Sequence, residues 1–300
     1  MSNSGRMHLG EFAVTQLIKF AGYSAILFVI TIFIFLVREG FPSLGEVQLD
    51  NLLSDRWYPI EGLYGILPLL VGTVIVTIGA IAVAMPFGLA TAIFISEVSP
   101  RRFREILKPA IELLGGVPSV VLGFIGILVL APYLRELFEL PTGLSAFTGS
   151  LILGIIALPT VVSVAEDALD NVPQSYRQAA WAMGATEWQT IWMVTLPAAR
   201  SGVLTAVMLG VGRAIGETMV VLMVTGNAPV MFNGLDSFVS PVRTMTATIA
   251  AEMGEVASGS VHYHVLFLVG ITLFLITLTL NVTVSAVVFR RRKRAERLLS

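Results

Sequence analysis

The sequence predicts an all-α, polytopic membrane protein with six transmembrane helices. Of its 300 residues, 55% are hydrophobic and only 13% are charged, whereas soluble domains carry about 25% charged residues. Long apolar runs recur along the chain, and a helix of about 20 such residues crosses a bilayer. Cysteine is absent and histidine is rare, so we expect neither a metal site nor a cofactor bound by this chain.

The apolar runs divide the chain into four parts. We expect a polar cytoplasmic tail at 1–15, a first transmembrane helix with an external loop at 16–64, a main transmembrane domain at 65–289 and a basic cytoplasmic tail at 290–300. The predicted spans cover, in order, residues 16–37, 63–95, 109–132, 147–166, 198–225 and 263–289. Each run is long enough to cross the bilayer at about 1.5 Å per residue.

Proline and glycine modify two of these spans. The second span is longer than a bilayer needs, and Pro86 predicts a kink or a tilt within it. Gly115, Gly116 and Pro118 interrupt the third span, since these residue types punctuate helices.

The loop 226–262 contains a pattern of its own. Apolar residues recur there at near-helical spacing between Val242 and Val256, which predicts a short amphipathic helix. His262 and His264 flank a tyrosine at the edge of the last span. We interpret them as a solvated interfacial pair rather than as metal ligands.

The distribution of basic residues predicts the orientation of the chain. Six spans place both termini on the same side, and cytoplasmic loops carry an excess of Lys and Arg. Of the 19 Lys and Arg residues, those outside the N-terminal side are Arg38, Arg56, Arg135 and Arg243 in the opposite loops and Arg213 inside a span. We therefore expect a multi-pass membrane protein with both termini in the cytoplasm.

The segment 171–197 is a cytoplasmic loop in this arrangement, yet its sequence predicts structure. Alanine-rich residues before Gly184 favour a helix, and a second apolar periodicity begins at Trp188 and ends at Pro197. Two short helices that meet at a glycine form a compact knob with aromatic residues on its surface. Such a surface either docks a partner or packs back on its own protein, and the pattern alone favours neither.

The sequence contains no recognisable catalytic machinery. The carboxylates Glu166, Asp167 and Asp170 lie at a helix end without a histidine or metal partner in the pattern, so we interpret them as solvated. No lysine lies in the P-loop pattern G-x4-G-K-[ST]. We therefore predict that the chain is not an enzyme and that any ATP is hydrolysed by another subunit.

Two charged residues lie inside span five, where insertion into the bilayer is energetically unfavourable. Arg213 and Glu217 interrupt an apolar run, and a charged residue at the bilayer centre costs about 2.5–3.5 kcal/mol on insertion scales. Their four-residue spacing predicts that they share one helix face. They form either a buried ion pair that fixes helix packing or a polar element on a translocation path.

Hydroxyl groups in spans two and three are further candidates for such a path. Thr73 and Thr77 lie one turn apart, and Ser119 follows Pro118. Hydroxyls in helices also bond to carbonyl groups of the preceding turn. We favour this second interpretation on the residues alone.

The segment 171–197 resembles the EAA loop of importer-type ABC permeases. The family pattern is E-A-A-x3-G-x9-I-x-L-P, and the matching residues here are Gln178 in place of the glutamate, Ala179, Ala180, Gly184, Val194 in place of the isoleucine, Leu196 and Pro197. The blocks 95–124, 212–227 and 240–255 are similar to the PstC-type permeases of phosphate importers. The resemblance covers about 65–289 and implies a bacterial or archaeal cytoplasmic membrane as the location.

This resemblance implies a fold, partners and residue roles. It implies the MetI-like fold of ABC importer permeases, in which the loop 171–197 couples to an ATPase and Arg213 and Glu217 serve translocation. Phosphate suits such a site, because a guanidinium donates two parallel hydrogen bonds to an oxyanion. The implied partners are a second, PstA-like permease, a dimer of PstB-like ATPase subunits that uses the ATP, an extracytoplasmic PstS-like phosphate-binding protein and membrane lipid, but no nucleic acid.

Three alternatives stay open on the sequence. The first is an ABC permease for another cargo, such as molybdate, sulfate or phosphonate. The second is an ion-coupled secondary transporter with Arg213 and Glu217 as a proton relay, which the knob and the missing inverted repeats disfavour. The third is a membrane scaffold that binds an ATPase and transports nothing.

Overall fold

The computed structural model describes residues 4–231 and 233–299, which fold into a bundle of helices. The helices are, in chain order, α1 (Ser4–Gly40), α2 (Ser43–Glu46), α3 (Leu49–Leu52), α4 (Leu67–Ile93), α5 (Arg101–Gly115), α6 (Ser119–Ile125), α7 (Ala131–Leu137), α8 (Ala146–Asp170), α9 (Gln174–Ala182), α10 (Glu187–Thr190), α11 (Leu196–Gly216), α12 (Met219–Val224), α13 (Met245–Glu252) and α14 (Val261–Leu299). Between α3 and α4, a hairpin pairs β1 (Trp57–Tyr58) with β2 (Leu63–Tyr64) in antiparallel register.

Six helical segments are long and apolar enough to cross a membrane, as predicted. They are Glu11–Glu46, Leu67–Val98, Ser119–Leu137, Ala146–Asp170, Glu187–Gly216 and Val261–Thr283. Several of the predicted boundaries differ. α1 begins at Ser4, so the predicted tail at 1–15 is helical from that residue on, and α7 continues to Leu137. The predicted external loop holds α2, α3 and the hairpin.

The third segment is broken where the sequence predicts an interruption. α5 ends at Gly115 and α6 begins at Ser119 directly after Pro118, because proline fixes the backbone and restricts the residue before it. The predicted span 109–132 is nevertheless shifted. Its first turns belong to α5, which starts at Arg101 with a charged face, and the apolar stretch begins at Ser119.

The fifth segment is not one continuous helix, contrary to the prediction. α10 continues through a π-helical turn, Ile191–Thr195, directly into α11, so Pro197 does not separate the knob from the span. A π-helical turn alters the hydrogen-bond ladder and thereby accommodates a proline in the first turn of α11. The helix ends instead at Gly216, and α12 begins only at Met219.

Small residues bring α4 and α8 into close contact at the centre of the bundle. Gly88 lies against Val161 and Gly154 against Val83, and a side chain at either glycine would overlap its neighbour. Ala80 and Ala84 are fully buried in the same contact. Small residues allow helix backbones to approach closely in membrane proteins, so α4 and α8 form a tightly packed pair.

We call the end of the bundle that carries the hairpin the hairpin end, and the end that carries α9 and α10 the loop end. At the hairpin end, Glu252 accepts hydrogen bonds from Trp57 Nε1 at 3.2 Å and Arg243 Nη1 at 2.9 Å and contacts His262 Nε2 at 2.8 Å. His264 Nδ1 lies 2.9 Å from a carboxylate oxygen of Glu46. The interpretation of the two histidines as a solvated pair is therefore wrong, since each has a carboxylate partner.

The short helix predicted in the loop 226–262 is present as α13, but its first turn is buried rather than amphipathic. Met245, Ala247 and Thr248 are fully buried. Ala247 lies in the same apolar cluster as Ala80 of α4. Because α13 starts within the core and ends at Glu252, it runs outward from the bundle interior to the hairpin end.

Candidate translocation and coupling sites

Arg213 lies near the middle of the bundle. Its Nη2 atom is 3.5 Å from the carbonyl oxygen of Gly115, and Gly115 lies against Pro159, close to the midpoint of α8. One turn earlier in α11, Gly210 lies against Val161 of α8. These neighbours place the guanidinium at the depth of the break between α5 and α6.

The side chain of Arg213 is exposed, although it belongs to a candidate membrane span. On both sides of it, Gly212 and Gly216 leave open space, with no atom within 4 Å of where a Cβ would lie. The single hydrogen bond to Gly115 is at the long limit for such a contact. The donors of the guanidinium therefore face a space that another molecule can occupy.

Arg213 and Glu217 do not share a helix face, contrary to the prediction. The helix ends at Gly216, and Glu217 has extended backbone with φ −70° and ψ 131°. Among the ion pairs of the described residues, none joins the two side chains. The interpretation as a mutual ion pair is therefore wrong.

Glu217 instead connects three helix ends. Its carboxylate Oε1 accepts a hydrogen bond from the amide of Val220 at 3.4 Å, at the start of α12. Its backbone carbonyl accepts a hydrogen bond from the Thr246 hydroxyl at 3.0 Å, at the start of α13. These two bonds stabilise the bend after Gly216, because they satisfy groups that a continuous helix would satisfy itself.

The predicted hydroxyl candidates have mainly structural partners. Thr73 is buried, donates to the carbonyl of Leu69 at 2.8 Å and accepts from the amide of Met245 at 2.9 Å. Thr77 is also buried and donates to the carbonyl of Thr73 at 2.7 Å. Ser119 is half-buried in the first turn of α6. The threonine contacts agree with the interpretation that these hydroxyls satisfy backbone carbonyls.

The predicted knob is present at the loop end. α9 ends near Gly184, which has a positive φ of 84°, a conformation that glycine adopts without strain. α10 begins with a capping box, in which Thr186 and Gln189 each bond the other's backbone amide. The chain therefore reverses direction at Gly184 and enters α10 with a defined geometry.

The surface of the knob is strongly apolar. The exposed residues with large apolar side chains are Trp181, Met183, Trp188, Trp192 and Met193. Of the residues predicted to couple to an ATPase, those that are exposed are Gln178, Ala179, Gly184 and Pro197, and those that are half-buried are Ala180 and Leu196. The knob thus presents these five large side chains outward, while Val172 and Ile191 of the same segment pack into the apolar core.

Comparison with known proteins identifies the family. Residues 84–295, more than half of the chain, match the family of binding-protein-dependent transport system inner membrane components. The chain belongs to this family. The permease is 39% identical over 253 residues to the probable ABC transporter permease protein YqgH of Bacillus subtilis, and the match covers 83% of this chain and 81% of the relative.

Further relatives carry a more specific name. The permease is 35% identical over 261 residues to the phosphate transport system permease protein PstC of Mesorhizobium japonicum, covering 81% of this chain and 79% of that one. It is 32% identical over 308 residues to the PstC protein of Pasteurella multocida, covering 96% and 94%. Family membership and the six apolar segments make the permease a multi-pass inner membrane protein and a transport component.

Solved structures show the same fold. The methionine ABC transporter MetNI in its inward-facing conformation matches with a TM-score of 0.52 at 20% identity, covering 74% of this chain and 94% of that chain. A bacterial ABC transporter that imports alginate matches with a TM-score of 0.56 at 15% identity, covering 92% and 98%. The predicted MetI-like fold is therefore confirmed.

The permease contains a buried arginine at the loop end whose role the sequence does not reveal. Arg177 of α9 is 8% exposed and forms two hydrogen bonds to the carboxylate of Glu97, at 2.6 and 3.1 Å. The two residues are 80 positions apart. The sequence pattern marks Arg177 only as one basic residue among many on its side of the membrane.

The interpretation of Glu166, Asp167 and Asp170 as solvated is wrong for Glu166, whose carboxylate is buried, while Asp167 and Asp170 are exposed. Glu166 is 1% exposed and is paired with Arg104 at 2.7 Å and Lys108 at 2.6 Å, both on α5. Asp170 also pairs with Arg104. The hydrogen bond to Glu166 raises the pKa of Lys108, so its amine stays charged over the physiological range. This ion cluster fastens α5 to the end of α8.

Proposed function

We propose that this chain is a permease subunit of an ATP-driven importer of inorganic phosphate. Two of its relatives bear the name phosphate transport system permease protein and match about four fifths or more of its length. The observation that carries the proposal is the exposed guanidinium of Arg213, which lies at mid-depth in the bundle with its donors accessible.

The chemistry of Arg213 suits a tetrahedral oxyanion. Guanidinium presents parallel N–H donors that match two oxygens of phosphate. Among the described residues, the one hydrogen-bond partner of the Arg213 guanidinium is the carbonyl of Gly115 at 3.5 Å. Glu217 follows four residues later in the chain, just beyond the end of the helix, and adds a negative charge. Repulsion between this carboxylate and phosphate keeps binding weak, and an importer needs weak binding because its cargo must leave the path.

The exposed position of Arg213 also supports a second permease as partner. An arginine that faced lipid at mid-depth would cost about 2.5–3.5 kcal/mol on insertion scales. A second permease that covers this face of α11 would enclose the guanidinium in a path lined by two chains. The open space beside Gly212 and Gly216 is then the part of the path that this chain supplies.

The knob is our proposed contact with the ATPase. Its exposed tryptophans and methionines form a surface of the composition that protein interfaces favour. α10 continues into α11 without a break, so a displacement of the knob tilts the helix that carries Arg213. In this arrangement the loop end and both termini face the cytoplasm. A dimer of ATPase subunits binds there, and a phosphate-binding protein approaches the hairpin end.

The segment 226–262 is our proposed part of the contact with the binding protein. Because the first turn of α13 is buried, deletion of 240–256 would disturb the core as well as the surface. The exposed Val230 is a better target. Val230→Asp should reduce the stimulation of ATP hydrolysis by the binding protein, whereas Ile60→Asp, in the exposed hairpin outside this segment, should not. Equal stimulation in both variants would remove this segment from the contact.

Reconstitution in liposomes tests the proposed function. Vesicles that contain the permease with its second permease, ATPase and binding protein should take up radiolabelled phosphate when ATP is supplied, and the permease alone should not. An excess of molybdate or sulfate should leave the uptake unchanged. Uptake by this chain alone, driven by an ion gradient, would instead favour a secondary transporter. Complexes that hydrolyse ATP and transport none of the oxyanions would indicate a scaffold.

A further inference from the structure

We propose that Arg177 is a positioning residue that joins the knob to α4 and α8 and so determines how much phosphate is moved per ATP hydrolysed. The proposal rests on the proposed function of the knob as the ATPase contact. It adds a second connection to the one through α10 and α11. This second connection leads to α4, a helix that is distant from the knob in the sequence.

Arg177 is held on nearly every side. Nε and Nη2 donate to the two carboxylate oxygens of Glu97 at 3.1 and 2.6 Å. Nη2 also donates to the carbonyl of Leu169 at 3.0 Å, and Nη1 to the carbonyl of Val172 at 2.7 Å. Both charged side chains are largely buried, with exposed fractions of 10% and 7%. Bidentate pairs of this kind are geometrically specific.

These bonds connect three elements. Arg177 belongs to α9, Leu169 lies in the last turn of α8, and Glu97 lies in the π-helical turn Phe94–Val98 that extends α4. π-helical turns occur frequently at functional sites. One side chain therefore joins the helix of the knob to the ends of two closely packed spans.

α9 itself contributes no buried apolar side chain to the core. All nine residues of α9 are described, and Arg177 is the only buried one among them. The neighbouring side chains of Gln178, Ala179 and Trp181 are exposed. Within α9 itself, the attachment to the bundle is thus this polar clamp, whereas Val172 before the helix and Ile191 after it are anchored in the apolar core. A movement of α9 relative to the ends of α4 and α8 therefore strains the clamp.

A movement at the contact between Arg177 and Glu97 can reach the hairpin end through α4. The Thr73 hydroxyl of α4 accepts a hydrogen bond from the amide of Met245 at 2.9 Å, and Gly72 packs against the backbone of Arg243. A shift of α4 at Glu97 therefore reaches the start of α13, next to Glu217. The clamp offers one mechanical connection between the ATPase contact and the segment that we assign to the binding protein.

The test compares variants of the purified transporter complex in liposomes. Arg177→Gln leaves the Glu97 charge buried and without its partner, which could destabilise the protein. The double variant Arg177→Gln/Glu97→Gln is therefore included, because it leaves no uncompensated buried charge. ATP hydrolysis and uptake of radiolabelled phosphate are measured at equal amounts of assembled complex. We expect both variants to hydrolyse ATP while the phosphate moved per ATP falls about tenfold.

The matched control is Arg101→Gln, which breaks an exposed pair with Glu105 on α5, with exposed fractions of 92% and 66%. It should leave the ratio of phosphate to ATP unchanged. An unchanged ratio in the assembled double variant would overturn the proposal, as would an equal fall in the control. Arg177→Lys keeps the charge but loses the fork geometry, and it should give an intermediate ratio.

A separate readout distinguishes this proposal from the role of the knob itself. The chain has no cysteine, so Met183→Cys supplies a single site for crosslinking to the ATPase. Crosslinking that persists in the Arg177 variants while the ratio falls supports both proposals. If crosslinking persists and the ratio of phosphate to ATP stays normal, the role proposed for Arg177 is overturned, whereas the ATPase contact of the knob is not. A knob that never crosslinks contradicts the proposed ATPase contact.

Discussion

Two arginines of the permease differ in almost every physical respect. Arg177 is buried, and four hydrogen bonds from its guanidinium go to Glu97 and to two backbone carbonyls. Arg213 is exposed and has one long contact, to the carbonyl of Gly115 at 3.5 Å. The first has its donors satisfied within the protein. The second has donors that are available to another molecule near the middle of the bundle.

The two arginines suit two different tasks of a transporter, the transmission of movement and the binding of its cargo. A satisfied, buried guanidinium gives a rigid connection, because moving it would leave charges and carbonyls without partners. An unsatisfied guanidinium gives a binding group, because an arriving anion supplies the missing acceptors. We therefore propose that Arg177 transmits movement and that Arg213 contacts phosphate, and the predictions below test that division.

The largest effect is expected at Arg213. Arg213→Gln should lower phosphate uptake about 30-fold or more, since losing charge-assisted hydrogen bonds costs about 2 kcal/mol or more. The complex should still assemble, because the side chain is exposed and lacks an ion partner among the described residues. Uptake per assembled complex is the measurement, with the exposed Arg200→Gln of α11 as control. Normal uptake in Arg213→Gln would contradict the assignment.

The next effect concerns the surface of the knob. Trp188→Ala should weaken ATPase binding about tenfold, because tryptophans at interface centres commonly contribute more than 1 kcal/mol. Binding of the purified ATPase subunit to the permease in detergent measures the change. Ile60 is fully exposed at the hairpin end, so Ile60→Ala is the matched control. A similar loss in both variants would mean that the knob is not the contact.

The threonines of α4 test whether the phosphate path extends beyond Arg213. Thr73→Val leaves the buried amide of Met245 without its acceptor and should destabilise the permease by about 1–3 kcal/mol. Thr77→Val removes only a bond to a carbonyl of its own helix and should have a much smaller effect. Thermal unfolding and phosphate uptake are both measured. A loss of uptake in Thr77→Val without a change in stability would place that hydroxyl on the path.

The smallest effect is expected at the turn of the knob. Gly184→Ala should cost about 1 kcal/mol, because the residue has a positive φ that alanine adopts with strain. Steric overlap does not contribute, since a Cβ there meets nothing within 4 Å. Hydrogen exchange of the α9 amides should rise in this variant. Gly22→Ala, in open space on α1 at an ordinary φ, should leave those amides unchanged.

Local signals were sufficient for much of this fold. Apolar runs predicted six membrane segments, Pro118 with its preceding glycines predicted the break before α6, and Gly184 predicted the reversal within the knob. Each of these features depends on residues that are neighbours in the sequence. Membrane solvation and backbone sterics act directly on such neighbours, so a pattern can reveal them.

The features that sequence reasoning missed depend on distant partners. The bend after Gly216 is stabilised by the hydroxyl of Thr246, and the burial of Glu166 depends on Arg104 and Lys108 of another helix. Without those contacts, four-residue spacing correctly indicates a shared helix face, and a helix-end carboxylate is ordinarily solvated. A single basic residue, Arg177, two positions before the alanine pair, was the only sequence signal for the clamp.

The most direct test of the division between the two arginines is a distance measurement on the assembled transporter. Solid-state NMR on the complex with nitrogen-labelled arginine and bound phosphate reports phosphorus–nitrogen dipolar contacts, and Arg213→Lys and Arg177→Lys assign them. We predict a contact that disappears in Arg213→Lys and persists in Arg177→Lys. A contact that survives in Arg213→Lys, or one that disappears in Arg177→Lys, would contradict the account.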